Sequence, residues 1–396
     1  VKTNTKEIKE MTRRGFLVSF FALALALMTS VSYASGASTK RAAATLNGGG
    51  SSFVFPLVSA WEPAFKSASG MTVNYNSIGS GAGIAAVSNR SVDFGASDAP
   101  LTPDQQTACN GCLTIPWAFS ATAVAYNGSG LPPHLNITGP VLADIYLGKI
   151  KNWSDPAIKN LNPGVTLPDK TITPIFRSDA SGTSYNFSEY LSAVDSEWKS
   201  KIGVGTQPAF PAGVGGAKSS GVSALLTKTN GGICYVDVAY ALKSGFGIFA
   251  IENRTGKFEL PGLRQITATA GLITTAKADS NGLVLSVVDP PKPSLPKFKP
   301  ITTKSQSQRA KILKYRANVL AKARTKNKKL AIAYPICTFT YVIVPKQASQ
   351  ADALKTFFTW ALTKGQGSTY GPPLRFVAIP KAVRKTSLGL LSQIHS

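Results

Sequence analysis

The sequence predicts an α/β protein built as two lobes, and three observations carry that prediction. First, the chain of 396 residues, even after an N-terminal targeting segment is set aside, exceeds the size at which one hydrophobic core usually stops growing. Second, short extended runs are followed repeatedly by a Gly/Ser turn and then by apolar residues at helical spacing. Third, no long apolar run interrupts the remainder, and frequent Gly, Pro and Val suit mixed strands and helices.

The targeting segment comes first. Arg13 and Arg14 precede the apolar run 15–28, which is short and wrongly flanked for a membrane span, and Ser32-Tyr33-Ala34 supplies small residues for cleavage after Ala34. Residues 1–34 are therefore expected to be a signal peptide, and Thr12-Arg13-Arg14-Gly15-Phe16-Leu17 also fits a twin-arginine export signal. The expected address is the periplasm or the outer face of the cell envelope. No cysteine lies near the cleavage position, so a lipid anchor is not expected.

Four turns then repeat one logic. Thr45 and Leu46 open a strand that meets Gly48-Gly49-Gly50-Ser51-Ser52-Phe53, and Leu57, Val58, Trp61 and Phe65 follow at helical spacing, with Pro56 in a first turn where its missing N–H is not needed. A second strand over 71–78 leads through Gly79-Ser80-Gly81 into a helix carrying Ile84 and Val87. Its G-x-G-x-G string lacks the full dinucleotide fingerprint. A third, 91–97, ends on the carboxylate of Asp98, for which capping the helix near Thr102-Pro103 is the plain alternative.

The fourth turn, Arg177-Ser178-Asp179-Ala180-Ser181-Gly182-Thr183-Ser184, follows the extended run 170–176 and opens the helical spacing of 185–191. Unpartnered backbone N–H groups and the positive end of the helix dipole make such a terminus an anion site. Gly182 lets the backbone come close, Ser181 and Thr183 add hydroxyls, and Arg177 adds a planar fork for an oxyanion. Asp179 would repel an anion unless it is occupied in holding Arg177, the role expected of it. By itself this octapeptide fits an ordinary capped helix with a surface ion pair better than it fits an anion site.

Taken together and in this order, these turns resemble those of the phosphate-binding proteins that feed phosphate ABC transporters. The resemblance extends to 144–158 and to 232–241, and more faintly to 334–336 and 357–361. It implies a two-lobed periplasmic-binding-protein fold of type II, two mixed-sheet α/β domains joined by two crossover strands, with lobe 1 at 45–120 plus 241–396 and lobe 2 at 121–240. It also implies a monomer without cofactor or catalysis that binds inorganic phosphate for an ABC permease. By motif position the ligand set is Ser52, Phe53, Ser80, Asp98, Arg177, Ser181, Gly182 and Thr183. Ser52 stands where threonine is common, and Gly81 replaces a frequent serine.

The chemistry explains the carboxylate. Phosphate near neutral pH still carries a proton and can donate to an ionised Asp98, which can only accept; sulfate has none to offer and would leave that carboxylate unpaired against an anion. Only two histidines exist, His134 and His395, so histidine-based catalysis and a His/Cys zinc site are poorly supported. Four cysteines in an exported chain allow three pairings; Cys109 with Cys112 and Cys234 with Cys337 are the expected ones.

Charge is the departure from that pattern. Lys and Arg outnumber Asp and Glu by 43 to 19, for a net charge of +24, and the excess is concentrated in 292–329, which has no acidic residue. The region 289–330 reads as an insertion in lobe 1, proline-rich and extended at first, then a basic helix over 306–326 with Ile312, Tyr315, Val319 and Leu320 near one side. It fits either a solvated surface element or attachment to an anionic cell-surface polymer or lipid headgroups. Three other functions stay open at this point: an enzyme acting on phosphate esters, a nucleic-acid or wall-polymer module, and a binding protein for another oxyanion.

Overall fold

In the computed structural model, residues 44–290 and 306–396 are described. The expected signal peptide and the proline-rich start of the insertion, from residue 291, lie outside the described residues. Among the described residues no helix is long and apolar enough to cross a membrane.

Three strand–turn–helix units open the fold: β1 (Thr45–Gly50) with α1 (Phe55–Ser69), β2 (Thr72–Ser77) with α2 (Ser80–Ser88), and β3 (Phe94–Ser97) with α3 (Pro103–Cys109). Each helix returns the chain to the same end of the sheet, so β1 pairs in parallel with both β2 and β3. That geometry sets all three turns at one edge. α1 buries Leu57, Val58, Trp61 and Phe65, the stripe its spacing predicts. Trp61 meets Trp117 edge-on and Phe65 meets Phe357, and each fully buried aromatic of this kind contributes about 2–3 kcal/mol. The cap of α3 is Thr102, in a reciprocal capping box with Gln105. Asp98 is left free for other work.

The chain continues through β4 (Cys112–Asn127), β5 (His134–Ile137), α4 (Gly139–Tyr146), α5 (Pro156–Lys159), β6 (Thr173–Arg177), α6 (Gly182–Val194), α7 (Ser196–Lys201), β7 (Val214–Gly216), α8 (Lys218–Lys228), β8 (Gly232–Asp237) and α9 (Val238–Lys243). Then follow β9 (Gly247–Glu252), β10 (Phe258–Glu259), α10 (Leu263–Ala270), α11 (Gln306–Leu330), β11 (Cys337–Pro345), α12 (Ala351–Leu362) and α13 (Lys381–Leu390). The strands form one path, β2-β1-β3-β11-β4-β8-β6-β7, with β9 attached to β4, β5 and β10. β4 joins the two halves: up to Ala121 it pairs with β11, and from Thr122 it pairs with β8 and then β9. Because β9 and β10 stay in the second sheet, the return to the first lies beyond β10, later than the boundary at 241 expected from sequence.

Cys109 and Cys112 form a disulfide across the α3–β4 turn, with 5.6 Å between their Cα atoms. The expected Cys234–Cys337 bridge is absent: both are buried free thiols. The topology explains why. Cys234 on β8 faces Ala125 and Cys337 on β11 faces Ala121, on opposite sides of β4. Two strand spacings of about 4.8 Å plus a four-residue offset put them beyond the roughly 7 Å limit for a bridge.

The insertion's helix, α11, buries Leu330, half-buries Ile312, Val319 and Leu320, and exposes Lys311, Lys314, Lys322, Arg324 and Lys328. Tyr315, expected on the apolar side, is 65% exposed. At 100° per residue it lies about 60° to one side of Ile312 and Leu330, whereas Leu320 lies about 80° to the other, so the covered side of the helix is the one that carries Leu320. Its C-terminal end is tied down by Asn253 Nδ2, which donates to the carbonyls of Leu330, Ala331 and Ala333, and by Lys329 Nζ on Gly271 O.

Candidate anion-binding site

The turns after β1, β2, β3 and β6 converge. Asp98, at the end of β3, is 2% exposed. Ser51 Oγ donates to its Oδ1 at 2.6 Å and Thr340 Oγ1, from the neighbouring β11, donates to the same oxygen at 2.7 Å. Both bonds fall on Oδ1, so the other oxygen stays available as an acceptor. Ser52 turns the other way: its hydroxyl lies 2.9 Å from that of Ser219 and accepts the Ser219 N–H at 3.0 Å. The Phe53 N–H points at Ser51 Oγ, 3.1 Å away.

Arg177 ends β6, its side chain 2% exposed. Its backbone N–H donates to the Tyr235 hydroxyl at 3.0 Å, and its Nε and Nη2 donate to the two oxygens of Asp179 at 2.7 and 2.6 Å. The Lys218 N–H adds a third donor to Asp179 at 2.9 Å. Burial pushes the Asp179 carboxyl up, but the Arg177 hydrogen bonds and charge and the Lys218 N–H together hold it below the usual carboxylate range. The guanidinium is thus fixed in direction. Tyr235 stacks on Phe187 and also bonds Ser184 Oγ at 2.7 Å, so the aromatic core of the second sheet supports the site.

α6 begins at this point. Ser181 caps it by accepting from the Ser184 N–H at 3.2 Å, and Gly182 donates to Ser80 Oγ at 3.0 Å. Gly81 donates to the Ala180 carbonyl at 2.9 Å. Gly79, at φ +92°, passes so close to Asp179 that an added Cβ would lie 2.5 Å from Oδ2, which only glycine tolerates. Thr183 Oγ1 is buried without a hydrogen-bond partner, and a buried hydroxyl left unpaired beside a helix start is a donor waiting for an anion. The assembly therefore offers hydroxyls, helix-start N–H groups, the immobilised guanidinium of Arg177 and the acceptor carboxylate of Asp98.

All eight predicted ligand residues lie on these turns. The reading missed Thr340, Ser219 and Tyr235, and it placed Ser51 among the hydroxyl donors of its turn without including it in the ligand set. Ser51 is next to a predicted residue and belongs to the same motif. Thr340 and Ser219 reach the site from positions 242 and 167 residues away from their partners, and nothing local marks them.

Burial pushes the Asp98 carboxyl up to about 6, against the hydrogen bonds from Ser51 and Thr340 and the Arg177 charge, which pull it down. The folded value exceeds the unfolded one, so the stabilisation is full below the unfolded value and is lost as pH rises through about 6. By pH 7 ionising Asp98 costs the ligand-free fold roughly 3 kcal/mol. Asn keeps an acceptor for both hydroxyls without the charge. In phosphate-free buffer Asp98→Asn is expected to melt several degrees above wild type at pH 7–8 and level with it near pH 4. Parallel melting curves across that range would reject this account.

The PBP superfamily domain matches residues 35–364. A phosphate-binding protein PstS of Xylella fastidiosa is 35% identical over 339 residues, covering 85% of this chain and 81% of that protein. The PstS of Pasteurella multocida is 30% identical over 377 residues, covering 94% of each. Among solved structures, a high-affinity periplasmic phosphate-binding protein holding phosphate superposes with a TM-score of 0.62 at 18% identity, over 86% of this chain and 92% of that one. A phosphate-binding protein from Stenotrophomonas maltophilia gives 0.57 at 16%, over 87% and 93%. These superpositions show a shared two-lobed fold.

Proposed function

The chain belongs to the PstS phosphate-binding proteins of the PBP superfamily, and from that premise we propose that it binds inorganic phosphate outside the cytoplasm and hands it to an ABC-type importer. One observation carries the reading: a buried acceptor carboxylate, Asp98, stands among donors suited to an oxyanion. The ligand set is Ser52, Phe53, Ser80, Asp98, Arg177, Ser181, Gly182 and Thr183. The bonds these groups make with one another and with Ser51 and Ser219 are the ones an anion would compete for. The lobes meet along β4, and phosphate is enclosed between the turns of the first sheet and the start of α6. The protein works as an exported monomer and performs no chemistry on its ligand; Asp179 has both oxygens held by Arg177, and Asp98 serves as an acceptor for the ligand's proton. A thermal-shift titration tests the reading. Phosphate should raise the melting temperature progressively with concentration, as mass action requires, and equal shifts with sulfate would sink it.

A second reading concerns α11, whose exposed face carries Lys311, Lys314, Lys322, Arg324 and Lys328 with no acidic residue in the helix. It is that of a contact with an anionic polymer or headgroup surface, worth little at high salt. The Gln variant of Lys311, Lys314, Lys322 and Lys328 should lose most of its salt-dependent binding to poly(glycerol phosphate) and keep wild-type phosphate affinity. Unchanged polymer binding would remove this contact from the account.

A further inference from the structure

We propose that Ser219 is a positioning residue for phosphate: it fills the acceptor lone pairs of the Ser52 hydroxyl and so leaves that hydroxyl able only to donate. The inference rests on the phosphate reading of the cleft.

A serine hydroxyl has one proton and two lone pairs. The Ser219 N–H occupies one lone pair of Ser52 Oγ at 3.0 Å, and the Ser219 hydroxyl, 2.9 Å away, is placed to occupy the other. With both taken, the Ser52 proton has one productive direction, toward an anion. The opposite polarity, Ser52 donating to Ser219, suits an empty cleft, and the negative charge of a ligand selects the first. Ser219 is 1% exposed and Ser52 also 1%, so water does not compete for either hydroxyl.

The local structure supports this role. Ser219 sits in the first turn of the 11-residue α8, which has no side-chain cap of its own. The N–H groups of that turn have no partners inside the helix. Two of them are used outside it, Lys218 N–H on Asp179 and Ser219 N–H on Ser52. One helix start therefore orients both the residue that grips Arg177 and the hydroxyl that faces the ligand. Lys218 adopts φ +62° to make this possible, a left-handed conformation that costs a non-glycine residue about 1 kcal/mol or more. Ser52 belongs to the β1–α1 turn of the first sheet and Ser219 to the start of α8, which follows β7 of the second. Bringing the turns together thus also sets the polarity of the donor.

The test is stopped-flow measurement of phosphate association and dissociation for wild type, Ser219→Ala and Ser219→Thr, with the ligand-free melting temperature of each. Ser219→Ala should release phosphate about 10-fold faster, the equivalent of one hydrogen bond, with association within about twofold. Ser219→Thr, which keeps the hydroxyl, should restore slow release, and the preference for phosphate over sulfate should hold in both variants because Asp98 is untouched. A purely structural serine would lower the melting temperature without changing release. Unchanged release in Ser219→Ala, or equal impairment in Ser219→Thr, overturns the inference while leaving the cleft's function standing. A wild-type protein that binds no phosphate overturns both.

Discussion

Gly182→Ala is expected to reduce phosphate affinity by about 10³-fold in a protein that still folds. An ideal Cβ on Gly182 would lie 2.5 Å from the Asp98 nitrogen and 2.7 Å from both its Cα and Cβ. Those are not the far end of a flexible side chain. Asp98 directly follows β3, whose Ser97 pairs with Tyr341 of β11, so the obstacle is fixed to the first sheet. The turn that opens α6 must back away instead. Gly182 then leaves Ser80 Oγ, now 3.0 Å distant, and Ser181 and Thr183 move with it. Losing two charge-assisted hydrogen bonds of about 1.5–3 kcal/mol each spans roughly 10² to 10⁴ in affinity. Since the clash lies between turns and not inside either sheet, the ligand-free melting temperature should change by only a few degrees. Calorimetric affinity within tenfold of wild type would mean that these backbones need not abut for binding.

The second large effect belongs to selectivity. Asp98→Asn should lower the preference for phosphate over sulfate by about 10²-fold or more, chiefly by letting sulfate in. Asn retains an oxygen for the Ser51 and Thr340 hydroxyls but replaces an obligate acceptor with an amide that also donates. The penalty of a buried carboxylate facing a proton-free anion disappears with it. Acid should act in the same direction on wild type. With the ligand-free carboxyl titrating at about 6, most molecules at pH 4–5 present a protonated Asp98 that can donate to either anion. Competition assays should therefore find sulfate silent at pH 8 and weakly competitive at pH 4.5 in wild type, with no such pH dependence in Asp98→Asn. Sulfate excluded equally by both proteins would assign the selector elsewhere.

What the sequence made legible was local. Each turn sits between an extended run and an apolar stripe, so the stripe of Leu57, Val58, Trp61 and Phe65 and the opening of α6 after Arg177 follow from spacing alone. The grip of Asp179 on Arg177 spans two residues, which composition and charge logic can reach. Long-range pairing was not legible in this way. Thr340 reaches Asp98 because β11 inserts between β3 and β4, and no feature of 337–345 announces which strands it will part. The same insertion, with β4 beside it, separates Cys234 from Cys337, so an even cysteine count in a chain expected to be exported suggested a bridge that strand order forbids. Ser219 is one serine among several in a polar stretch, distinguished only by the fold that sets it against Ser52. In the insertion, the apolar residues could be counted on one side of a helix, but where Tyr315 points depended on which face meets the body.

The most direct measurement is a calorimetric titration of the refolded, phosphate-stripped wild-type protein at pH 8, first with phosphate and then with sulfate. The account predicts one saturable phosphate site per chain and no heat from sulfate at the same concentrations. No phosphate binding, or phosphate and sulfate bound alike, would contradict it.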